Sequence, residues 1–235
     1  MPRPSAVPER RYAGLSANER RAGRRERLIE AAIDHYGTTG YRSATIPQIC
    51  RSAGVTARHF YEEFPSQEAL LTAAYDRIAS EMIERIKHAL ETHATRKPFE
   101  SFRAGVEAYF TYVTSDKRRA RIFALEVVGV GADLDRHRLA MRERFVTIAA
   151  ANAARLGYAA GDLDARLLTL ALVGVTDVLV LDWLVSRRRR SVAAMVDHVT
   201  TIWVRALQLE RPKSRRTGLA VAARGSALPK RKRAT

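Results

Sequence analysis

Apolar positions recur at helical spacing along most of the chain, and no run alternates apolar and polar residues with the period of a strand. Leu28, Ile29, Ala32, Ile33 and Tyr36 form a first stripe, opened by Ser16 and Glu19 at capping-box spacing and closed at Gly37 or Gly40. Ile46, Ile49 and Ala53 form a second, short stripe, and Phe60 and Phe64 supply a third. A long helix from Ser66 to about Thr92 carries Leu70, Leu71, Ala74, Ile78, Met82, Ile86 and Leu90. After a break at 92–98, Phe102, Val106, Tyr109, Phe110 and Val113 mark a helix over 99–115. Asp116 can cap a shorter one running through Ile122 to Val128, halted by Gly129 and Gly131. Leu139, Phe145, Ile148 and Ala149 place another over 132–156. The pattern predicts an all-α protein.

The stretch Asp162–Val185 is apolar on two sides. Leu168, Leu172, Val175, Leu179 and Trp183 lie on one, and Leu167, Ala171, Val178, Leu181 and Val185 on the other. Asp177 and Asp182 interrupt it, which favours a buried helix over a membrane span. Val192, Val196, Val199, Trp203, Ala206 and Leu207 give a last amphipathic helix. One protomer offers one core, so a helix with two apolar sides predicts a partner. A homodimer is expected, with Leu168, Leu172, Val175, Leu179, Trp183, Val196, Val199 and Trp203 at its interface.

Residues Thr45 to Leu71 are the most informative. Thr45 and Gln48 have capping-box spacing, Pro47 sits in the first turn where a missing N–H costs nothing, and Gly54 is the residue type that tolerates a left-handed turn. Val55 plugs the space between the helices and Thr56 can cap the next. That second helix sends Phe60 and Phe64 inward and leaves Ala57, Arg58, His59 and Tyr61 outward. Two short helices joined by a small-residue turn, with donors on the second, form a helix-turn-helix pattern whose second helix enters a DNA major groove.

The residues Gly54-Val55-Thr56, Tyr61, Phe64 and Ser66-x-Glu68-x-Leu70-Leu71, preceded by Ala31-Ala32, Tyr36 and Gly40-Tyr41-x-x-Ala44-Thr45, resemble the DNA-binding domain of TetR-family transcriptional regulators. The resemblance spans about Arg24 to Arg77. It implies a three-helix head over residues 16–65, joined to a larger helical body over 66–210 that binds an effector and dimerises through its last two long helices. It further implies a sequence-specific regulator, most simply a repressor that a small-molecule effector releases from a palindromic double-stranded operator. The alternative is a ligand-independent architectural DNA-binding protein. Expected DNA contacts are Arg42, Thr45, Thr56, Ala57, Arg58, His59, Tyr61 and Gln67. Gln67 stands where the family commonly has a phosphate-binding Lys, and Ala57-Arg58 where it has Lys-Gly. Arg58 can pair with a guanine edge and Tyr61 can donate to phosphate. Glu62 and Glu63 would repel phosphate and are expected to face away.

Candidate chemistry adds little else. The lone Cys50 excludes an intrachain disulfide and a Cys-based zinc site, and His35, His88, His93, His137 and His198 lack metal-ligand spacing. No catalytic motif is present, so neither enzyme activity nor a cofactor or metal is expected. Phe102, Tyr109, Phe110, Phe123 and Phe145, with the carboxylates Glu126 and Asp177 inside apolar runs, are candidates for an effector pocket. An N-terminus without an apolar signal segment predicts a cytoplasmic, nucleoid-associated protein with no membrane partner.

Charge sharpens the picture. The formal charge is +16. Arg211, Lys213, Arg215, Arg216, Arg224, Lys230, Arg231, Lys232 and Arg233 place +9 in residues 211–235, and residues 1–27 carry +5, so the excess is expected on two flexible arms. Residues 1–15 and 211–235 are expected to be disordered basic arms. Each phosphate neutralised adds a slope of about −0.9 to log K against log salt. Truncation after Glu210 is therefore expected to flatten the salt dependence of random-DNA binding while leaving the preferred sequence unchanged. Identical slopes for the full and truncated chains, measured by titration at several salt concentrations, would assign the tail no contact.

Overall fold

A computed structural model describes residues 16–93, 98–157, 164–186 and 190–207, and the expected arms at 1–15 and 211–235 lie outside them. Among the described residues there are nine α-helices and no strand. The head comprises α1 (Ala17–Thr38), α2 (Ile46–Ala53) and α3 (Ala57–Glu63). Its caps follow from local chemistry. Ser16 and Glu19 close a capping box, the Ser16 N–H donating to Glu19 Oε2 at 2.6 Å, and Thr45 and Gln48 close another. Gly54 takes φ 62°, so its N–H turns back to the Arg51 carbonyl and α2 stops. Leu28, Ala32, Tyr36, Ile49 and Phe60 are fully buried between these helices.

Helix α4 (Gln67–Thr92) runs from the head into the body, with Leu70, Leu71, Ala74, Ile78, Ala79, Met82 and Ile83 all fully buried. Around it lie α5 (Pro98–Thr114), α6 (Lys117–Arg121), α7 (Ala132–Arg155), α8 (Ala165–Val185) and α9 (Val192–Leu207). Helix α6 continues without a break into a π-helical segment, Ile122–Glu126. Helix α5 packs between α4 and α9, and α7 packs on α8. Helix α8 is capped by Asp164, whose side chain accepts from the Leu167 N–H, so it starts three residues later than the apolar pattern indicates.

Two expectations are corrected. The arginines before residue 28 are not all on an arm: Arg20, Arg21, Arg24, Arg25 and Arg27 lie on α1. Arg21 and Arg24 pair with Glu63, Arg25 donates to the Glu63 carbonyl and Arg27 to the Ala53 carbonyl, so these side chains tie α1 to the turns around α2 and α3. The second correction concerns the partner face. Leu172, Trp183, Val196, Val199 and Trp203 are buried inside the protomer, and Leu168 and Leu179 are half-buried against its core. These side chains complete the protomer's own core, which needed one apolar side of α8 and of α9. Of the expected set Val175 stays outward, and it joins Leu167, Val178 and Val185 on α8 and Ile202 on α9 in an exposed apolar stripe. The segment Arg166–Val185 is long and apolar enough to cross a membrane, but one side of it is spent on α7 and α9.

The head is seated on the body through α6. Gly37 faces Arg118 so closely that a Cβ there would overlap the Cβ and Cα atoms of Arg118. Around this contact Arg118 Nη1 donates to Asp34 at 3.0 Å and Arg121 Nη1 donates to the Thr38 carbonyl at 3.0 Å. Gly37→Ala must push α6 off α1, because backbone cannot move aside as a flexible side chain can. The substitution is expected to lower the unfolding free energy by about 1–3 kcal/mol in denaturant titrations, although alanine is the better helix former at that position.

Candidate functional site

The outward face of the head is built by α3 and the turns that flank it. Thr56 caps α3, its hydroxyl accepting from the His59 N–H at 3.3 Å and lying 3.1 Å from His59 Nδ1. Phe60 and Phe64 anchor the inner side, so Ala57, Arg58 and Tyr61 project into solvent; the Arg58 side chain is 88% exposed and Tyr61 59%. Arg42 and Thr45 are exposed at the start of α2, and His59 is half-buried. This surface holds hydrogen-bond donors of the kind that read base edges and phosphates.

Three side chains of the head depart from expectation or qualify it. Gln67 does not extend to the outside: its Nε2 donates to the Tyr41 carbonyl at 3.0 Å and the Ala44 carbonyl at 2.9 Å, so both amide hydrogens bracket the loop before α2. It is a positioning group and leaves no side-chain donor for phosphate. Glu63 does face away, its side chain 2% exposed between Arg21 and Arg24. Glu62 does not, because it sits four residues after Arg58 and accepts from Arg58 Nε at 3.3 Å. The i, i+4 register that places them together cannot be avoided on one helix.

The body contains an apolar cavity of about 80 Å³. Helices α4, α5, α7, α8 and α9 all contribute, with Ile86, Leu90, Phe102, Tyr109, Phe145, Val173, Asp177 and Trp203 among the lining residues. Gly105 keeps α5 close to α4, since a Cβ there would meet Leu90 Cδ2 at 3.0 Å. Of the candidates drawn from the sequence, Phe102, Tyr109, Phe145 and Asp177 line this space, and Phe123 lines a neighbouring cavity of about 150 Å³ that shares Phe145 and Asp177 with it. Phe110 does not; it is fully buried behind Tyr109, edge-on to its ring. Glu126 does not either. Its carboxylate accepts from the Tyr41 N–H at 2.7 Å and from Arg121 Nε at 2.6 Å, binding the π segment to the head. An acid in an apolar run indicates a buried partner, and here that partner is a backbone amide 85 residues away.

Asp177 is the polar group of the cavity wall. Tyr109 Oη donates to Oδ1 at 2.8 Å and Arg142 Nη2 donates to Oδ2 at 3.2 Å. Burial pushes its carboxyl above the ordinary value of 3.8, and the two donors counter that rise only in part. Burial likewise lifts the Tyr109 and Tyr75 phenols well above their usual range. Phe123 touches Tyr109, Phe145 and Tyr75, so the cavity wall connects ring by ring to the π segment. Asn152, Thr176 and Arg142 were not among the sequence candidates; polar residues on otherwise apolar helix faces mark them. Trp203 was read as an outward residue and lines the cavity instead. Among the described residues no group of three His, Cys, Asp or Glu side chains could hold a metal ion.

A helix-turn-helix head seated on a helical body is the architecture of a DNA-binding transcriptional regulator. Residues 28–74 match the family described as bacterial regulatory proteins, tetR family. The chain is 22% identical over 180 residues to the fatty acid metabolism regulator protein of Bacillus subtilis (strain 168), covering 75% of this chain and 92% of that protein. It is 28% identical over 174 residues to the HTH-type transcriptional regulator TtgR of Pseudomonas putida, covering 68% of this chain and 80% of that one. The fold matches the fatty acid degradation regulator FadR from Bacillus halodurans with a TM-score of 0.70 at 20% identity, over 79% of this chain and 96% of that chain. It also matches FadR from Bacillus subtilis in complex with stearoyl-CoA, with a TM-score of 0.69 at 20% identity, over 77% and 98%. Residues 28–74 are thus a tetR-family DNA-binding domain, and the chain is similar over most of its length to transcriptional regulators.

The raised Asp177 carboxyl makes a pH prediction. A raised acid favours folding while protonated; its contribution is complete below the unfolded value and is lost as pH climbs through the folded one. The unfolding free energy of the native protein minus that of Asp177→Asn is therefore expected to fall as pH rises from the ordinary value of 3.8. Denaturant titrations across the carboxylate range measure this difference. A difference that grows with pH would mean that Arg142 outweighs burial.

Proposed function

We propose that the protein is a homodimeric repressor whose head, residues 16–65, reads one half of a palindromic operator. The body, residues 66–210, dimerises and releases DNA when a small apolar effector enters its cavity. Regulation is by binding and not catalysis, and it takes place in the cytoplasm on the nucleoid. The observation that carries this reading is the short path from cavity to head: Tyr109 and Phe145 line the cavity, both touch Phe123, and three residues further on Glu126 accepts the Tyr41 N–H. A ligand that displaces Phe145 acts on the segment that seats the head.

Arg58 is assigned to a guanine edge, Tyr61 and Arg42 to phosphates, and Thr45, Thr56, Ala57 and His59 to the surface that meets the groove. The partner protomer covers Leu167, Val175, Val178, Val185 and Ile202. Full burial contributes about 1.5–3 kcal/mol for each large aliphatic side chain. An acyl compound suits the apolar walls, and the likeness to a fatty acid metabolism regulator and to a structure holding stearoyl-CoA supports that class. A cavity of about 80 Å³ admits a short chain as it stands. A longer chain requires Phe145 to swing and join the second cavity.

Selection of bound DNA from a random pool tests the reading. The expected product is a palindrome with half-sites set by the dimer, and octanoyl-CoA is expected to lower affinity for it. Arg58→Ala is expected to cost about 1–3 kcal/mol on that site and relax preference at one base pair. An equal loss on specific and random DNA would move Arg58 to phosphate. Failure to enrich any sequence, with a steep salt slope, would favour the architectural reading.

A further inference from the structure

Two residues that line the cavity each carry a buried hydrogen-bond donor without a partner in the protein. Among the described residues, four buried side-chain polar atoms lack a partner, and two of them, Asn152 Nδ2 and Trp203 Nε1, belong to residues lining this one cavity. Both residues are more than nine-tenths buried, Asn152 at 5% exposure and Trp203 at 7%. The orientation of the Asn152 amide is settled by its neighbours. Arg155 Nη2 donates to Oδ1 at 2.7 Å and Ser101 Oγ donates to the same atom at 3.4 Å. Two donors on one side require the oxygen there, so the NH₂ is on the other and cannot be flipped away. Trp203 has no such choice, since an indole only donates. Its ring lies against Phe102, 5.7 Å between centroids, and Phe102 is the chain neighbour of Ser101. Both donors are thus anchored through the same turn of α5.

Buried donors find acceptors in nearly all folded proteins. Two such donors on residues that line one apolar cavity point to an acceptor that arrives with a ligand. The geometry points to an effector that carries a carbonyl oxygen on its apolar body; we propose that this oxygen accepts from Asn152 Nδ2 and Trp203 Nε1. The inference rests on the reading of this cavity as the effector site and narrows the effector class to ketones, esters, thioesters and lactones. A cation is disfavoured at this end, where Arg155 already stands beside Asn152. Asp177, already held by Tyr109 and Arg142, adds no donor that would compete for a carbonyl. Discrimination follows, because a ligand without the oxygen leaves both donors unpaired.

Acetophenone and ethylbenzene, two probes of similar size that differ in the carbonyl, separate the possibilities. The full-length ¹⁵N-labelled protein has two indole N–H resonances, from Trp183 and Trp203, and Trp203→Phe identifies the second by its loss. Acetophenone is expected to move the Trp203 indole proton downfield, whereas ethylbenzene binds without moving it. Asn152→Leu is expected to weaken acetophenone about tenfold, the worth of one hydrogen bond, and not to weaken ethylbenzene. If both probes bind and the indole responds to neither, the carbonyl assignment is overturned while the cavity remains a ligand site. If neither probe binds, the cavity reading falls and takes the assignment with it. The native-protein spectra decide between these outcomes even if the Asn152 variant does not fold.

Discussion

One helix runs through both head and body. Helix α4 buries Leu70 and Leu71 against α1 and, without a break, Ile78, Met82 and Ile83 among the helices of the body. Its backbone hydrogen bonds make it a stiff rod, so a shift of the body end is felt at the head end. Packed cores resist gradual deformation because every side chain already touches its neighbours. The head can therefore be reoriented only by moving α4 as a whole or by changing the second connection, where α6 and the π segment sit on α1. The first connection meets the cavity through Ile86 and Leu90 of α4, and the second meets the neighbouring cavity through Phe123 of the π segment.

That second connection is a polar cluster folded around two glycines. Gly37 lets the Arg118 backbone approach, and Gly40, at φ 93°, lies beside Arg121 and Glu126. Glu126 is paired with Arg121 at the end of α6 and with a backbone amide of the head. Charge-assisted bonds of this kind are directional and shortened, so the cluster fixes the orientation of the head as well as its attachment. Gln67 does comparable work on the opposite side of the same loop, holding the Tyr41 and Ala44 carbonyls. The loop that presents Arg42 and Thr45 is therefore gripped from both ends.

What the sequence made legible were the local features. Ser16 with Glu19, Thr45 with Gln48, and the turn at Gly54 depend on residues within four positions of each other, and each appears where its chemistry places it. The inward Phe60 and outward Arg58 follow from helical period alone. What was not legible depends on tertiary partners. Glu126 and Asp177 both read as acids in apolar runs, yet one holds a backbone amide across the head–body contact and the other a tyrosine in the cavity wall. Periodicity cannot distinguish the two apolar sides of α8, because it reports that a side is buried without saying by what. So Leu172, Val199 and Trp203 went to the partner when the protomer's own core had claimed them. Gln67 was assigned by its position in a motif, and its amide instead clasps two carbonyls of the loop before α2.

The π segment between α6 and Glu126 has a consequence for the shape of any motion. A π turn carries more residues per turn than an α turn, and it persists only where its surroundings hold it. Its natural alternative is α geometry, in which each residue turns the helix by about 100°. Relaxation would not stretch the segment by degrees. It would rotate the residues that follow by a discrete step, carrying Glu126 past its seat as a ratchet tooth passes a pawl.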